Sequence, residues 1–116
     1  MGLRIECLLI DCIDLERMSE FWRAALDLEH VRTGPSGGYL LRAQDSSSVL
    51  LALMPGGGEK RGKNRLHLDL RPDNQEAEVS RLERLGAVRV QVGQRDPSWV
   101  VMADPEGNEF CVLRSR

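Results

Sequence analysis

Residues 64–71 of this chain read NRLHLDLR, and their pattern guides the interpretation of the rest of the sequence. Leucine alternates strictly with charged or titratable residues: one set is Leu66, Leu68 and Leu70, and the other is Arg65, His67, Asp69 and Arg71. A period of two residues is typical of a β-strand whose two faces meet different surroundings. We therefore predict a strand over 64–71 that buries its leucines and presents the titratable side chains on its other face.

A helix and three further strands are predicted after this stretch. Pro72 ends the strand, and Asp73 with Glu76 predicts a capping box at the start of the helix. The apolar residues of the helix recur every two or three positions before Gly86 ends it: Ala77, Val79, Leu82 and Leu85. Strands are predicted at 88–92, 99–103 and 109–113, with turns at 95–97 and 104–108.

The first half of the chain has the same order of elements. The sequence predicts a strand over 3–11 and a helix over roughly 14–26 with Asp14 as its N-cap. Three antiparallel strands are predicted to follow, at 29–33, 38–42 and 49–54. The next residues include the run PGGG at 55–58 and are typical of a linker. No helix and no Gly-Lys-Ser/Thr pattern follows the glycines, so a phosphate-binding loop is not indicated.

The order strand, helix, three strands thus occurs twice, with a period of about sixty residues. Cys7 precedes Asp14 by seven positions, and His67 precedes Asn74 by seven. We predict an α+β fold of two tandem βαβββ modules, at about 1–56 and 64–116, joined by a linker at about 57–63. A helix on one face of each sheet leaves the other face free, and two free faces can enclose a cleft.

Composition narrows the classes of function. The chain has 116 residues, 41% apolar and 29% charged, with a net charge of -2, which is ordinary for a globular domain and unlike a basic nucleic-acid binder. No apolar run reaches membrane-spanning length and no signal-peptide core is present, so we predict a cytoplasmic protein with no membrane partner. Three cysteines, an odd number, argue against a disulfide framework.

The arrangement resembles the vicinal oxygen chelate superfamily, which includes glyoxalase I, extradiol dioxygenases, fosfomycin-resistance enzymes and bleomycin-resistance proteins. Residues 14–26 look like the helix of its first module, and LERLGA at 82–87 looks like the end of the second helix. DPEGNE at 104–109 looks like the hairpin before its last strand. RLHLDL at 65–70 together with EFCVL at 109–113 looks most like the small glyoxalase-like domain proteins of that superfamily.

The resemblance implies a metal site. In the superfamily, His, Glu or Gln residues of the first and last strand of each module hold a divalent ion, which acts as a Lewis acid on two vicinal substrate oxygens. Carried onto this sequence, the positions fall at Cys7, about Leu51 or Leu53, His67 and Cys111. Only His67 is a usual ligand type, so we expect no metal. A zinc site of Cys7, His67 and Cys111 is the alternative.

Other titratable and aromatic residues are candidates for ligand binding. His67 and Asp69 lie two apart on one strand face, with Cβ atoms about 6 to 7 Å apart, so the carboxylate can orient the imidazole as an acid/base or anchoring pair. A solvated polar face, with Arg65 and Arg71 neutralising Asp69, is the alternative. In a regular last strand, the Glu109 side chain projects to the same side as Cys111. The Trp99 side chain has two equally favoured positions, in the wall of the cleft or in the hydrophobic core.

The predicted function is small-molecule binding in the cleft between the modules, without the metal of the superfamily. The predicted catalytic pair is His67 and Asp69, and the predicted ligand-binding set is Cys7, His67, Asp69, Trp99, Glu109 and Cys111. The first alternative is a metal-dependent lyase, isomerase or dioxygenase of the superfamily. The second is a drug-sequestering protein of the bleomycin-resistance type, although such proteins bind bulky cations and this chain is nearly neutral.

The resemblance also implies a homodimer, and four-stranded sheets with exposed edges favour pairing. The linker between the modules permits them to pair within one chain or to swap between two. Sedimentation velocity over a wide concentration range is expected to show a dimer. Monomer at every concentration would contradict this prediction.

Overall fold

The computed structural model describes residues 2–45, 49–91 and 98–115. The chain divides into two compact units, Met1–Glu59 and Lys60–Arg116. The elements of the first unit are β1 Leu8–Cys12, α1 Leu15–Leu26, β2 Leu28–Thr33, β3 Tyr39–Ala43 and β4 Leu51–Pro55. The elements of the second unit are β5 Asp69–Leu70, α2 Gln75–Leu85, β6 Val88–Arg89, β7 Val100–Ala103 and β8 Glu109–Val112.

Both units contain a four-stranded sheet of the same topology. The strand orders are β1-β4-β3-β2 and β5-β8-β7-β6. The first strand of each unit pairs in parallel with the last, and the other pairs are antiparallel. The predicted α+β fold of two βαβββ modules is therefore confirmed. No helix in the described part of the chain is long and apolar enough to cross a membrane.

The first unit is organised around the apolar face of α1. Asp14 caps this helix, because its side chain accepts a hydrogen bond from the Arg17 amide at 3.1 Å. One face of α1 is buried through Met18, Phe21, Trp22 and Ala25. The sheet contributes buried Leu41 from β3 and Leu51 and Leu53 from β4. Leu51 and Leu53 therefore belong to the core, which is why these positions of the sequence are aliphatic.

The start of α2 differs from the prediction by one residue. The N-cap is Asn74, whose side chain accepts a hydrogen bond from the Ala77 amide at 3.0 Å. Asp73 is not the cap, so the predicted capping box with Glu76 is wrong. Asp and Asn cap helices about equally well, so residue preference alone does not separate these neighbours. Gly86 ends the helix as predicted, with φ of 120°, a conformation that favours glycine.

The predicted strand over 64–71 is wrong in its first half. Only Asp69–Leu70 forms a strand, and Leu66 is 91% exposed, while Leu68 and Leu70 are half-buried. The ladder with β8 is made by the Leu68 and Leu70 carbonyls, which accept from the Cys111 and Leu113 amides at 2.8 Å each. In the parallel register β8 begins opposite His67, so residues 64–66 lie beyond the end of that strand.

The first strand is also shorter than the predicted 3–11. It covers Leu8–Cys12, which pairs residue for residue with Leu51–Pro55. Leu3 and Ile5 are 94% and 75% exposed, and Cys7 lies before the strand and is half-buried. The remaining strands that are fully described begin and end within two residues of their predicted positions. The predicted turn at 95–97 and the end of the strand at 88–92 lie outside the described residues.

Candidate functional site

The two longer strands of the second sheet separate their side chains by the alternation of the pleat. Even-numbered Met102, Phe110 and Val112 are buried in the core together with Val79 and Leu82 of α2. Val101, Glu109 and Cys111 of the same strands line a cavity of about 520 Å³. We call this second side the open face of the second sheet. The alternation of the strands thus assigns these three residues to a candidate site, whereas Ala103 is buried and does not line the cavity.

The cavity lies wholly within the second unit. Its lining residues are Lys63, Asn64, His67, Asp69, Trp99, Val101, Glu109, Cys111 and Leu113. Five of the six residues predicted to bind a ligand are among them, and Cys7 belongs to the first unit. Trp99, Val101 and Leu113 form an apolar wall, so for Trp99 the structure favours the lining position over plain core packing.

The sequence analysis missed four lining residues. Val101 and Leu113 follow from strand alternation, because each lies two positions along its strand from a predicted site residue. Lys63 and Asn64 come from the linker-like stretch and have no periodic signal. Their place at the cavity depends on a contact with Glu109, 45 residues further along the chain in the case of Asn64.

His67 and Asp69 contact each other directly. His67 Nε2 lies 3.2 Å from Asp69 Oδ1, and their side chains are 39% and 52% exposed. Of the two arginines that could have neutralised Asp69, Arg65 forms no ion pair with it among the described residues, and Arg71 donates to the Arg114 carbonyl at 2.7 Å. The carboxylate therefore holds the imidazole in place and leaves the other ring nitrogen available to a ligand.

Cys111 is buried between these two residues and the apolar wall. Burial raises the pKa of its thiol, and the nearby charge of Asp69 and a hydrogen bond to that carboxylate raise it further. The charge of Lys63 acts in the opposite direction. At neutral pH the side chain is therefore a thiol, which is weakly nucleophilic and weakly ligating.

Glu109 fastens the linker-like stretch to the sheet. Its Oε1 atom accepts from the Asn64 amide at 3.0 Å and lies 2.9 Å from Lys60 Nζ. Both partners of the ion pair are mostly buried, with side-chain exposures of 17% for Lys60 and 12% for Glu109. Burial alone would raise the pKa of Glu109, but the hydrogen bonds from Lys60 and Asn64 outweigh it and hold the pKa below its usual value.

We expect the stabilisation from Glu109 to depend on pH. Because its pKa is lower in the folded state, the contribution is present above the unfolded pKa of about 4.3 and is lost as the pH falls through the folded value. Glu109→Gln is expected to lose about 1 to 3 kcal/mol of unfolding free energy at pH 7. Urea unfolding of both proteins from pH 7 to pH 3 should show the difference shrinking below pH 4.3. A difference that stays constant over this range would contradict the assignment.

His67, Asp69 and Cys111 form the group of possible metal ligands that the described residues bring together. One ligand atom from each lies within 4.8 Å of the others. The predicted zinc ligands were Cys7, His67 and Cys111. The group in the structure keeps His67 and Cys111 and contains Asp69 in place of Cys7. One imidazole, one carboxylate and one thiol do not suit magnesium or manganese, which prefer mainly oxygen ligands. They suit zinc once the thiol loses its proton.

We expect magnesium, manganese and nickel to leave the melting temperature unchanged. The oxygen ligands that the first two ions need are missing, and the raised pKa of Cys111 opposes the thiolate that any of the ions would bind. Zinc is the one ion whose preferences match the group. Thermal unfolding with each ion, together with elemental analysis of freshly purified protein, tests this. A higher melting temperature with any of these three ions would contradict the prediction, and stoichiometric zinc that is lost in His67→Ala would contradict the expectation of a metal-free site.

Comparison with known proteins identifies the family of this chain. The sequence profile of the glyoxalase-like domain matches residues 7–113. The chain belongs to the glyoxalase-like domain family. The resemblance to the vicinal oxygen chelate superfamily is thereby confirmed, and the match spans nearly the whole chain. No curated protein matches the sequence significantly.

Solved structures share the fold of this glyoxalase-like domain. A variant of the fosfomycin resistance protein FosX from Listeria monocytogenes, complexed with Mn(II) and 1S,2S-dihydroxypropylphosphonic acid, has a TM-score of 0.75 at 13% identity, over 100% of this chain and 93% of its own. A glyoxalase/bleomycin resistance protein/dioxygenase family enzyme from Burkholderia phytofirmans has a TM-score of 0.74 at 18% identity, over 96% and 98%. FosX from Mesorhizobium loti has a TM-score of 0.74 at 17% identity, over 100% and 94%. At such identities the likeness shows the fold alone.

Proposed function

We propose that this glyoxalase-like domain binds a small molecule on the open face of its second sheet, without a metal ion. The observation that carries the proposal is the cavity of about 520 Å³, whose lining combines three apolar side chains with several titratable groups. Small-molecule sites typically have volumes of about 300 to 1,000 Å³, with mostly apolar walls and a few polar groups that fix orientation. The cavity matches this description in both size and lining.

Each part of the lining has a distinct role in this proposal. Trp99, Val101 and Leu113 remove the apolar part of the ligand from water. The His67 imidazole, held by Asp69, supplies a hydrogen-bonding group in a fixed orientation. Cys111 lies in the cavity as a neutral thiol, so it adds bulk and polarisability and no charge.

A fragment screen by ¹⁵N NMR on the whole chain tests this proposal. Bound fragments are expected to shift the resonances of Trp99, Val101 and Leu113. Leu113→Trp, which fills part of the cavity, is expected to abolish these shifts. Val88→Trp is the matched control, because Val88 is 57% exposed and does not line the cavity. Fragments that bind Leu113→Trp as well as the wild type, or that shift only residues elsewhere, would overturn the proposal.

A metal-dependent lyase, isomerase or dioxygenase is the second candidate. The observation that favours it is the approach of His67, Asp69 and Cys111, with ligand atoms within 4.8 Å of one another. A zinc ion there would supply Lewis acidity toward substrate oxygens. Zinc in stoichiometric amount, with loss of binding in both His67→Ala and Asp69→Ala, would favour this candidate over metal-free binding.

A further inference from the structure

One of the charged side chains that line the cavity lacks a partner of opposite charge among the described residues. Both carboxylates of the lining have a basic partner: Glu109 pairs with Lys60, and Asp69 contacts His67. Lys63 also lines the cavity, and within the described residues it has no carboxylate at ion-pair distance. One positive charge therefore faces the cavity without a partner from the protein.

The basic groups gather at one end of the cavity. Asp69 lies opposite Cys111 in the parallel ladder, so His67, two positions earlier, is displaced toward Glu109. The Asn64 amide is bonded to Glu109, which fixes its neighbour Lys63 at the same end. Lys60 pairs with Glu109 at this end, His67 contacts Asp69, and the charge of Lys63 acts on Cys111.

The apolar wall continues from this basic end. Glu109, Cys111 and Leu113 follow one another along the open face of β8 and its extension, and the wall residues Trp99 and Val101 lie on the neighbouring strand or just before it. The cavity therefore combines the Lys63 ammonium, which has no carboxylate partner in the described part of the chain, with an aromatic and aliphatic surface. A ligand that matches both parts is apolar and planar and carries an anionic group at one end.

We propose that the ligand of this site is a small aromatic acid whose anionic group lies at Lys63 and whose ring packs on Trp99, Val101 and Leu113. The inference rests on the proposed function, since it names the class of molecule bound in the same cavity. Glu109 is a positioning residue in this arrangement, because it holds the stretch that carries Lys63 and does not itself contact the acid. A charge-assisted hydrogen bond in a mostly apolar site is strong enough to select an acid over its neutral amide.

Three probes share a naphthalene ring and differ in the charge of the substituent: 2-naphthoate is an anion, 2-naphthamide is neutral and 2-naphthylmethylamine is a cation. Differences in their affinities therefore report on charge. Each is titrated into the whole ¹⁵N-labelled chain, and the shifts of Trp99 and Leu113 are followed. We expect 2-naphthoate to bind about tenfold more tightly than 2-naphthamide, and the amine to bind most weakly. Lys63→Met is expected to remove the preference for the acid and to leave the affinity for the amide unchanged.

Arg61→Met is the matched control for Lys63→Met. It removes the same charge from the same stretch, but Arg61 is exposed and does not line the cavity, so the preference for the acid should persist. Glu109→Gln is expected to weaken 2-naphthoate binding and to speed tryptic cleavage after Arg61 and Lys63, because the stretch loses its anchor. Faster cleavage with an unchanged preference for the acid would overturn the positioning role.

The outcomes distinguish this inference from the proposed function. If 2-naphthamide binds as tightly as 2-naphthoate, or if Lys63→Met behaves like Arg61→Met, the site binds small molecules and the inference about acids is wrong. If none of the three probes shifts any cavity residue, while fragments from the screen do, the aromatic acid class is wrong. If neither probes nor fragments shift these residues, the proposed function itself fails.

Discussion

Phe110→Ala is expected to lower the free energy of unfolding by about 3 to 5 kcal/mol. Phe110 lies in β8, opposite Met102 of β7, and is 1% exposed. Truncation would remove a large apolar side chain and leave a void against α2 that the surrounding residues fill only in part. Urea unfolding followed by circular dichroism measures the loss. An unfolding free energy within about 1 kcal/mol of the wild type would show that Phe110 is not in the core.

Leu66→Ala is the control for that experiment. The alternation of 64–71 predicts a buried Leu66, whereas the structure leaves it 91% exposed. The substitution is therefore expected to change stability by no more than about 0.5 kcal/mol. A loss comparable to that of Phe110→Ala would mean that the strand extends through residue 66 and that its leucine is buried.

Asp104→Ala is expected to cost about 2 to 4 kcal/mol, the second large effect. Asp104 is 3% exposed at the turn between β7 and β8. Its Oδ1 atom accepts from the Glu106 and Asn108 amides at 3.0 Å each, and Oδ2 accepts from Asn108 Nδ2 at 2.9 Å. Alanine would leave these donors without their acceptor in a part-buried turn, which costs more than the loss of an exposed hydrogen bond.

Asp104→Asn separates the hydrogen bonds of this turn from the charge. Its side-chain oxygen still accepts from the two amides, but its NH₂ group replaces Oδ2 and faces the Asn108 amide nitrogen. We expect a loss smaller than that of Asp104→Ala, measured in the same urea titrations. Because this turn joins the strands that carry Val101 and Glu109, NMR shifts at the cavity should accompany the loss in both variants. An Asp104→Ala protein as stable as the wild type would contradict the role of the carboxylate.

The helices and the last turn are the parts of the fold that the sequence predicts best. The helix predicted at 14–26 is Leu15–Leu26 with Asp14 as its cap, and the hairpin predicted at 104–108 forms with Gly107 at φ of 89°. These features depend on contacts between residues two to four positions apart, so a short stretch of sequence contains both partners. The chain order of strand, helix and three strands in each half is predicted from the same kind of local pattern.

The sequence predicts only those residues of the candidate site whose position follows from the alternation of side chains along a strand. Glu109 and Cys111 face the same side because they lie two positions apart in β8, and His67 and Asp69 are brought together by the same spacing. Lys63 and Asn64 join them through a carboxylate far along the chain. No local pattern encodes that contact, because its partners meet only after the sheet has formed.

The sequence by itself therefore determined the two βαβββ modules, their helices and the alternating faces of the last strands. The tertiary structure alone decided where β1 and β5 begin, that Leu66 is exposed, and which residues of the linker-like stretch line the cavity. A helix satisfies its backbone from its own residues, whereas a strand exists only as far as its neighbour extends. β8 begins opposite His67, so residues 64–66 lie beyond its end and cannot pair with it, although their sequence alternates.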